Sequence, residues 1–240
     1  MENRKPGPKA WAAPLRAWVL GACLVMSTVA QASERQLAPG FKQLPKDATV
    51  LIAPLDIELF SISAGGVLEP KADWTAAAQS HMRQALIDRA KAMGIKTQEV
   101  DADVADDHAE ALTLHAAVAQ SIALHHFGPM KLPAKEDRLD WSFGDSLRPL
   151  AQRTGARYGL FTWVRDSYAS SERVAAIVVM SLLGVGMSGG MQVGYASLVD
   201  LETGQVLWFN HLVRASGDLR EAKPATESVS ALLSAFPAQP

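Results

Sequence analysis

The chain has 240 residues, of which 23 are basic and 25 acidic, with a single cysteine and 48% apolar side chains. A formal charge of −2 without any long basic run excludes the electrostatic footprint of a nucleic-acid binder. One cysteine excludes a disulfide framework, and the length is enough to close one core without staples.

The first 32 residues carry the pattern of an export signal. Arg4, Lys5, Lys9 and Arg16 form a basic leader, and Ala17–Val29 is an apolar core of 13 residues. Ala30-Gln31-Ala32 supplies the small-x-small pattern of a cleavage site, so cleavage after Ala32 would leave Ser33 first. The apolar core is short of the ~18 residues that a membrane span needs. Leu20-Gly21-Ala22-Cys23 offers an alternative, a lipobox with Cys23 lipidated. Only six apolar residues separate Arg16 from Cys23, which favours ordinary cleavage. The expected mature chain has no cysteine and carries 19 basic against 24 acidic residues.

Ser33 to Asp47 is polar and punctuated by proline, and reads as an arm. Thr49–Phe60 is β-branched and Leu-rich and predicts a strand, with Pro54 at a bend or an edge. Ser61–Pro70 reads as a loop. Asp73 is placed to cap a helix running to about Met93, stopped by Gly94. A short strand is predicted over Ile95–Val100, a helix over Asp107–Phe127 and another over Ser146–Thr154. Tyr158–Tyr168, Met191–Leu201 and Val206–Val213 read as strands. Pro224–Phe236 closes the chain as a helix, with Val229, Leu232, Leu233 and Phe236 at the spacing of a buried stripe.

This order predicts an α+β fold: a single mixed sheet with crossover helices on it, then a C-terminal meander or hairpin followed by a helix. The expected layout is a signal peptide over 1–32, an arm over 33–48, one domain over 49–236 and a tail over 237–240. Within it, Ser197–His211 (SLVDLETGQVLWFNH) reads as a hairpin. Gly204 would supply a positive φ, Asp200 would accept from turn amides, and Trp208 would pack half-buried across the sheet. Asp-x-x-Thr-Gly-x-x-x-Trp is also a propeller-blade pattern, but it occurs once where a propeller repeats it.

TVLIAPLDI, the long helix after it, Gly155-Ala156-Arg157-Tyr158-Gly159-Leu160-Phe161 and ASLVDLETGQVLW together resemble an exported α/β module. It is the one shared by the TolB amino-terminal domain, the curli-secretion lipoprotein and the lipoprotein activators of peptidoglycan synthases. The resemblance spans roughly Thr49 to Val213. It implies an adaptor or assembly part of the cell envelope rather than an enzyme, with envelope proteins as partners and no cofactor. The chain departs from that pattern in a long uncharged insertion before the hairpin.

Three constellations hold residue types that could carry chemistry. Gly186-Met187-Ser188-Gly189-Gly190 satisfies Gly-x-Ser-x-Gly, and Asp200 and His211 follow in hydrolase order. That elbow needs a strand before the serine and a helix after it, whereas a β-like run follows here, and Asp200 and His211 share one hairpin. A serine hydrolase using Ser188 is therefore a minor alternative. Gly184-Val185-Gly186-Met187-Ser188-Gly189 fits Gly-x-Gly-x-x-Gly, but no helix opens after it and no acid lies about 20 residues on. His108, His115 and His126 fall on one helical face, yet ~10 and ~16 Å apart along the axis, too far for one metal ion. They read as the margin of a packed stripe with Leu112, Ala119 and Ile122. No catalytic, cofactor-binding or metal-binding residue is assigned.

Val174–Val199 holds no charge over 26 residues, and VAAIVVMSLLGVGM is apolar all round. Such a segment is core, an interface or a membrane contact, and the pattern alone does not separate them; the expectation is a short helix packed on the sheet, its outer side forming a self-association or envelope contact through Val174–Met187. The function expected is a non-enzymatic periplasmic interaction module. A membrane-associated oligomer resembling a curli-type secretion component is the alternative.

Overall fold

The computed structural model describes residues 35–238, within the unit Arg35–Pro240. The expected signal peptide, its cleavage site and the Cys23 alternative lie outside the described residues.

The spine is β5, Tyr158–Ala169, whose first five residues are all buried, as the middle of a sheet requires. One edge of β5 pairs antiparallel with β6 (Gln192–Asp200), from Tyr158↔Asp200 to Asp166↔Gln192. The other edge takes two parallel partners in succession. They are β1 (Thr49–Ile52), through Val50↔Tyr158, and β2 (Asp56–Ile62), through Asp56↔Trp163. The expected strand Thr49–Phe60 is thus broken at Ala53-Pro54-Leu55, where the register slips by one residue. Pro54 has no N–H to donate to a ladder, so the break falls there.

Outside this pair lie β4 (Lys96–Glu99), parallel to β1, and β3 (Leu68–Pro70), antiparallel to β2. The expected loop Ser61–Pro70 instead carries the end of β2 and all of β3. The far side is closed by β7 (Val206–Arg214), antiparallel to β6. Seven strands form one mixed sheet, and the class is α+β.

The described residues also form six α-helices. α1 (Ala72–Ala92) buries Ala78, Met82, Ala85, Leu86 and Ala90 on one stripe. Asp73 lies in its first turn and Lys71 at its N-cap, so Asp73 is not the cap. Gly94 ends α1 at φ 71°, with Ile95 N donating to Ala90 O and Gly94 N to Lys91 O, a Schellman closure. The expected single helix Asp107–Phe127 resolves into α2 (Ala102–Asp107), α3 (Ala109–Ile122) and a π-helical turn over Ala123–Phe127. α4 is Arg148–Thr154, α5 is Ser171–Leu182 and α6 is Ala222–Leu232.

Both sheet faces are packed. On the first, α1 and α6 bring Met82, Leu86, Val229 and Leu232 against Val50, Leu59, Leu160, Val164, Leu198 and Trp208. On the second, α3 and α4 bring Ala119, Ile122 and Leu150 against Leu51, Phe161, Val199 and Phe209. Cover on the second face stops half-way along β5. Beyond Phe161 the same side of the strand carries Trp163, Arg165 and Ser167, all half-buried, and across the sheet His211 and Val213 are exposed.

The expected arm is pinned to the sheet. Leu37 bridges to Trp208, Ala38 N donates to Leu207 O, and Phe209 N donates to Gln36 O. These bonds cover the β7 edge as far as Phe209. Ala38 and Leu44 are buried, and Leu44 N donates to Pro237 O near the chain's end.

Candidate functional site

α5 is built to form without a core. Ser170 caps it, its hydroxyl accepting from Arg173 N at 3.2 Å. At the other end Gly184 sits at φ 76°, with Val185 N donating to Met180 O and Gly184 N to Ser181 O. That is the closure seen at the end of α1, and it gives the first glycine of Gly-x-Gly-x-x-Gly a purely local role. A helix of 12 residues is marginal by itself, so closure at both ends matters here.

The roots of α5 are tied down. Ser170 N donates to Ile62 O, and Ala169 N donates to Gly189 O at 2.7 Å. Arg173 Nε donates to Ser188 O at 3.0 Å and its Nη1 to Ser63 O, joining the β2–β3 turn to the segment that leads into β6. Gly190 lets two backbones approach, since a Cβ there would stand 2.0 Å from Ser167 O.

What α5 does not do is bury itself. None of its residues is buried, and none belongs to either core cluster. Only Arg173, Ala176, Ile177 and Met180 are half-buried, one stripe at helical spacing. Val174, Val178, Val179, Leu182, Leu183 and Val185 are between 44% and 82% exposed. The expected helix is present, but it is not packed on the sheet. With no charge after Arg173 and no apolar neighbour above it, this surface is what a monomer ordinarily avoids. Val67 and Leu68, on the turn that Arg173 grips, are exposed as well.

The structure does not assemble the hydrolase set. Ser188 lies in an irregular segment between α5 and β6, its hydroxyl bonded to the backbone of Gly190. Asp200 is committed to its turn: one oxygen accepts from Glu202 N and Thr203 N, the other from Arg157 Nε at 3.0 Å. His211 stands opposite Tyr195, and its ring lies 4.9 Å from Phe127. Asp200 is five residues further along β6, roughly 17 Å away at strand rise.

The three histidines also have separate tasks. His108 sits at the break between α2 and α3, its Nδ1 against Val104 O. His115 is fully buried rather than marginal, with Nε2 3.0 Å from Ser197 Oγ and its ring in one cluster with those of Phe143 and Phe161. Burial lowers its pKa to about 3, so it is a neutral core residue. His126, in the π-helical turn, donates through Nε2 to Arg35 O, while Arg35 Nη2 donates back to His126 O. Burial holds His126 below the usual histidine range. Among the described residues no group of three His, Cys, Asp or Glu could hold one metal ion.

One polar cluster went unread in the sequence. Asp166, buried on β5, accepts from Tyr168 Oη, Gln192 Nε2 and Ser167 N. Gln192 Oε1 accepts from Ser228 Oγ, which accepts from Arg214. Burial pushes the Asp166 carboxyl up, against the three donors that favour its charged form. Arg220, bonded twice to Asp218, lies 4.4 Å from the centre of Trp74 and 4.5 Å from that of Tyr168. The cluster ties β5, β6, β7 and α6 together beside the roots of α5, around a cavity of about 50 Å³. Alternation along β5 and β6 marks its positions as inward, but no local signal says that an aspartate will stay there.

No family model matches the sequence, and no curated protein matches it. Solved structures do. The PelC dodecamer from Paraburkholderia phytofirmans is 16% identical, covering 83% of this chain and 94% of that one, with a TM-score of 0.42. Lipoprotein GNA1162 from Neisseria meningitidis is 14% identical, covering 78% and 94%, with a TM-score of 0.31. The LpoB C-terminal domain from Salmonella enterica is 15% identical, covering 74% and 87%, with a TM-score of 0.28. No residue role is transferred from them. Among the described residues no helix is long and apolar enough to cross a membrane.

Proposed function

We propose that this is an exported, non-enzymatic protein of the cell envelope, an assembly or interaction module that works through protein contacts made by α5. The observation that carries the reading is the capped, anchored helix, uncharged after Arg173, with six large apolar side chains in the open along it and just past its end. A chain that needed α5 only as a connection between β5 and β6 would bury those side chains or replace them with polar ones. The basic leader, apolar core and Ala30-Gln31-Ala32 support export, and purified periplasmic protein is expected to begin at Ser33 by amino-terminal sequencing.

A photo-crosslinking residue at Leu182 or Leu183, introduced in the producing cell, is expected to give discrete protein adducts. The same residue at Lys91, exposed on α1, is expected to give none. Equal yields at all three positions would remove α5 from the account. Ester turnover that disappears in Ser188→Ala would overturn the non-enzymatic part.

A further inference from the structure

Besides α5, the described residues leave a second surface partly uncovered, the outer half of the second sheet face, where aromatic and aliphatic side chains lie beside paired charges. Its cross-strand rows are set by register. Asp56, Trp163, Tyr195 and His211 form one row, and Glu58, Arg165, Val193 and Val213 the next. Trp163 and Tyr195 stack at 5.0 Å and are half-buried, Val213 is 62% exposed, and Met191 beside the second row is 52% exposed. We infer that α5 of one copy of this chain docks on this sheet half of a second copy. This deepens the reading of α5 as the contact surface, and rests on it.

Three observations select that occupant. First, helix and sheet half are the two missing layers of one packing arrangement, carried by the same chain. Bonds at Ile62, Ser63, Ser188 and Gly189 hold α5 where both surfaces stay open, so it does not serve its own sheet. Second, the charges agree. α5 brings none after Arg173, and Arg165 is already held by Asp56 at 2.6 Å and Glu58 at 3.4 Å. An interfacial helix on anionic lipid draws on basic side chains along its polar face, and this helix has none beyond Arg173. Third, area sets the mode. A helix of 12 residues is ~18 Å long and by itself falls short of the ~800 Å² per partner of a stable interface. Helix-to-sheet docking gives each chain two such contacts, which add within one interface when reciprocal in a closed pair and reinforce one another around a ring when head-to-tail.

The test uses the mature chain and two surface variants, each shown by its melting temperature to be folded. Val179→Asp with Leu183→Asp spoils the helix, and Met191→Asp with Val213→Asp spoils the sheet half. The parent is expected to sediment as a multimer, and each variant as one chain. An equimolar mixture of the variants is expected to form a complex of two chains and stop there, because each retains one intact surface. A mixture that stays monomeric while the helix variant alone loses association would overturn helix-to-sheet docking and leave the α5 contact standing. A monomeric parent that floats with phosphatidylglycerol vesicles, and stops doing so in the helix variant, would assign the helix to lipid and overturn the inference. Unchanged mass in both variants would overturn it together with the reading on which it rests.

Discussion

Single residues show most plainly what the sequence could and could not convey. The turn at Gly204 was legible: its φ is 69°, and Asp200 accepts from the Glu202 and Thr203 amides as the Asp-x-x-Thr-Gly spacing implies. Its distant neighbour was not. A Cβ on Gly204 would stand 2.0 Å from Gly144 O, because the loop before α4 folds over the turn. Gly204→Val therefore adds a backbone clash to positive-φ strain of about 1–3 kcal/mol, and a loss of at least about 3 kcal/mol is expected in urea denaturation. Equal midpoints for parent and variant would contradict it. His115 was misplaced for a related reason. Helical spacing names a face, but burial depends on Phe143, Phe161 and Ser197 across the core. Trp208, expected half-buried, is fully buried against Phe236 because α6 closes over it.

His115 also sets a pH dependence. Folded it stays neutral down to about 3, while the unfolded chain takes up the proton near 6.5. Stability is thus complete above about pH 6.5 and falls as pH drops toward 3, by about 1.4 kcal/mol per unit where only the unfolded state is protonated. His126 and His211, lowered by burial, act in the same direction. His115→Gln keeps a partner for Ser197 without titrating. Between pH 6.5 and 5 it is expected to lose roughly 2 kcal/mol less than the parent. Identical pH slopes would contradict a neutral buried His115.

Among elements, hydrophobic period located nearly every helix and strand, and failed where local chemistry interrupts a run. Pro54 divides one strand into β1 and β2, and His108 closes α2 and opens α3 with its own carbonyl-bonded ring. α5 was legible as a helix but not in its packing, since an all-apolar pattern is the same whether its cover is the chain's own sheet or another molecule. The structure leaves it open, and that fixes the expected response to charge. Val179→Asp with Leu183→Asp should cost less than about 1 kcal/mol, a surface effect plus an acid near a helix C-terminus. The same pair in a core would unfold the protein through unpaired buried carboxylates. A drop of several kcal/mol in the double variant would show that α5 is core.

At the scale of the whole molecule, the α+β class and the closing hairpin were legible because each rests on neighbours in sequence. The packing of helices on both faces was not, nor was the point where that cover stops, because both depend on how far α3 and α4 reach along β5. Among the described residues the fold thus leaves one helix and one half of a sheet face uncovered, and the proposed contacts fall there. Hydrogen exchange compares the free and assembled states most directly. In dilute monomer the amides of α5 are expected to exchange far faster than those of α1. In envelopes, or at concentrations where the chain associates, protection is expected to rise over Ser171–Val185 while α1 is unchanged. Protection of α5 equal to that of α1 in the dilute monomer, or no gain on assembly, would contradict a helix held open for a partner.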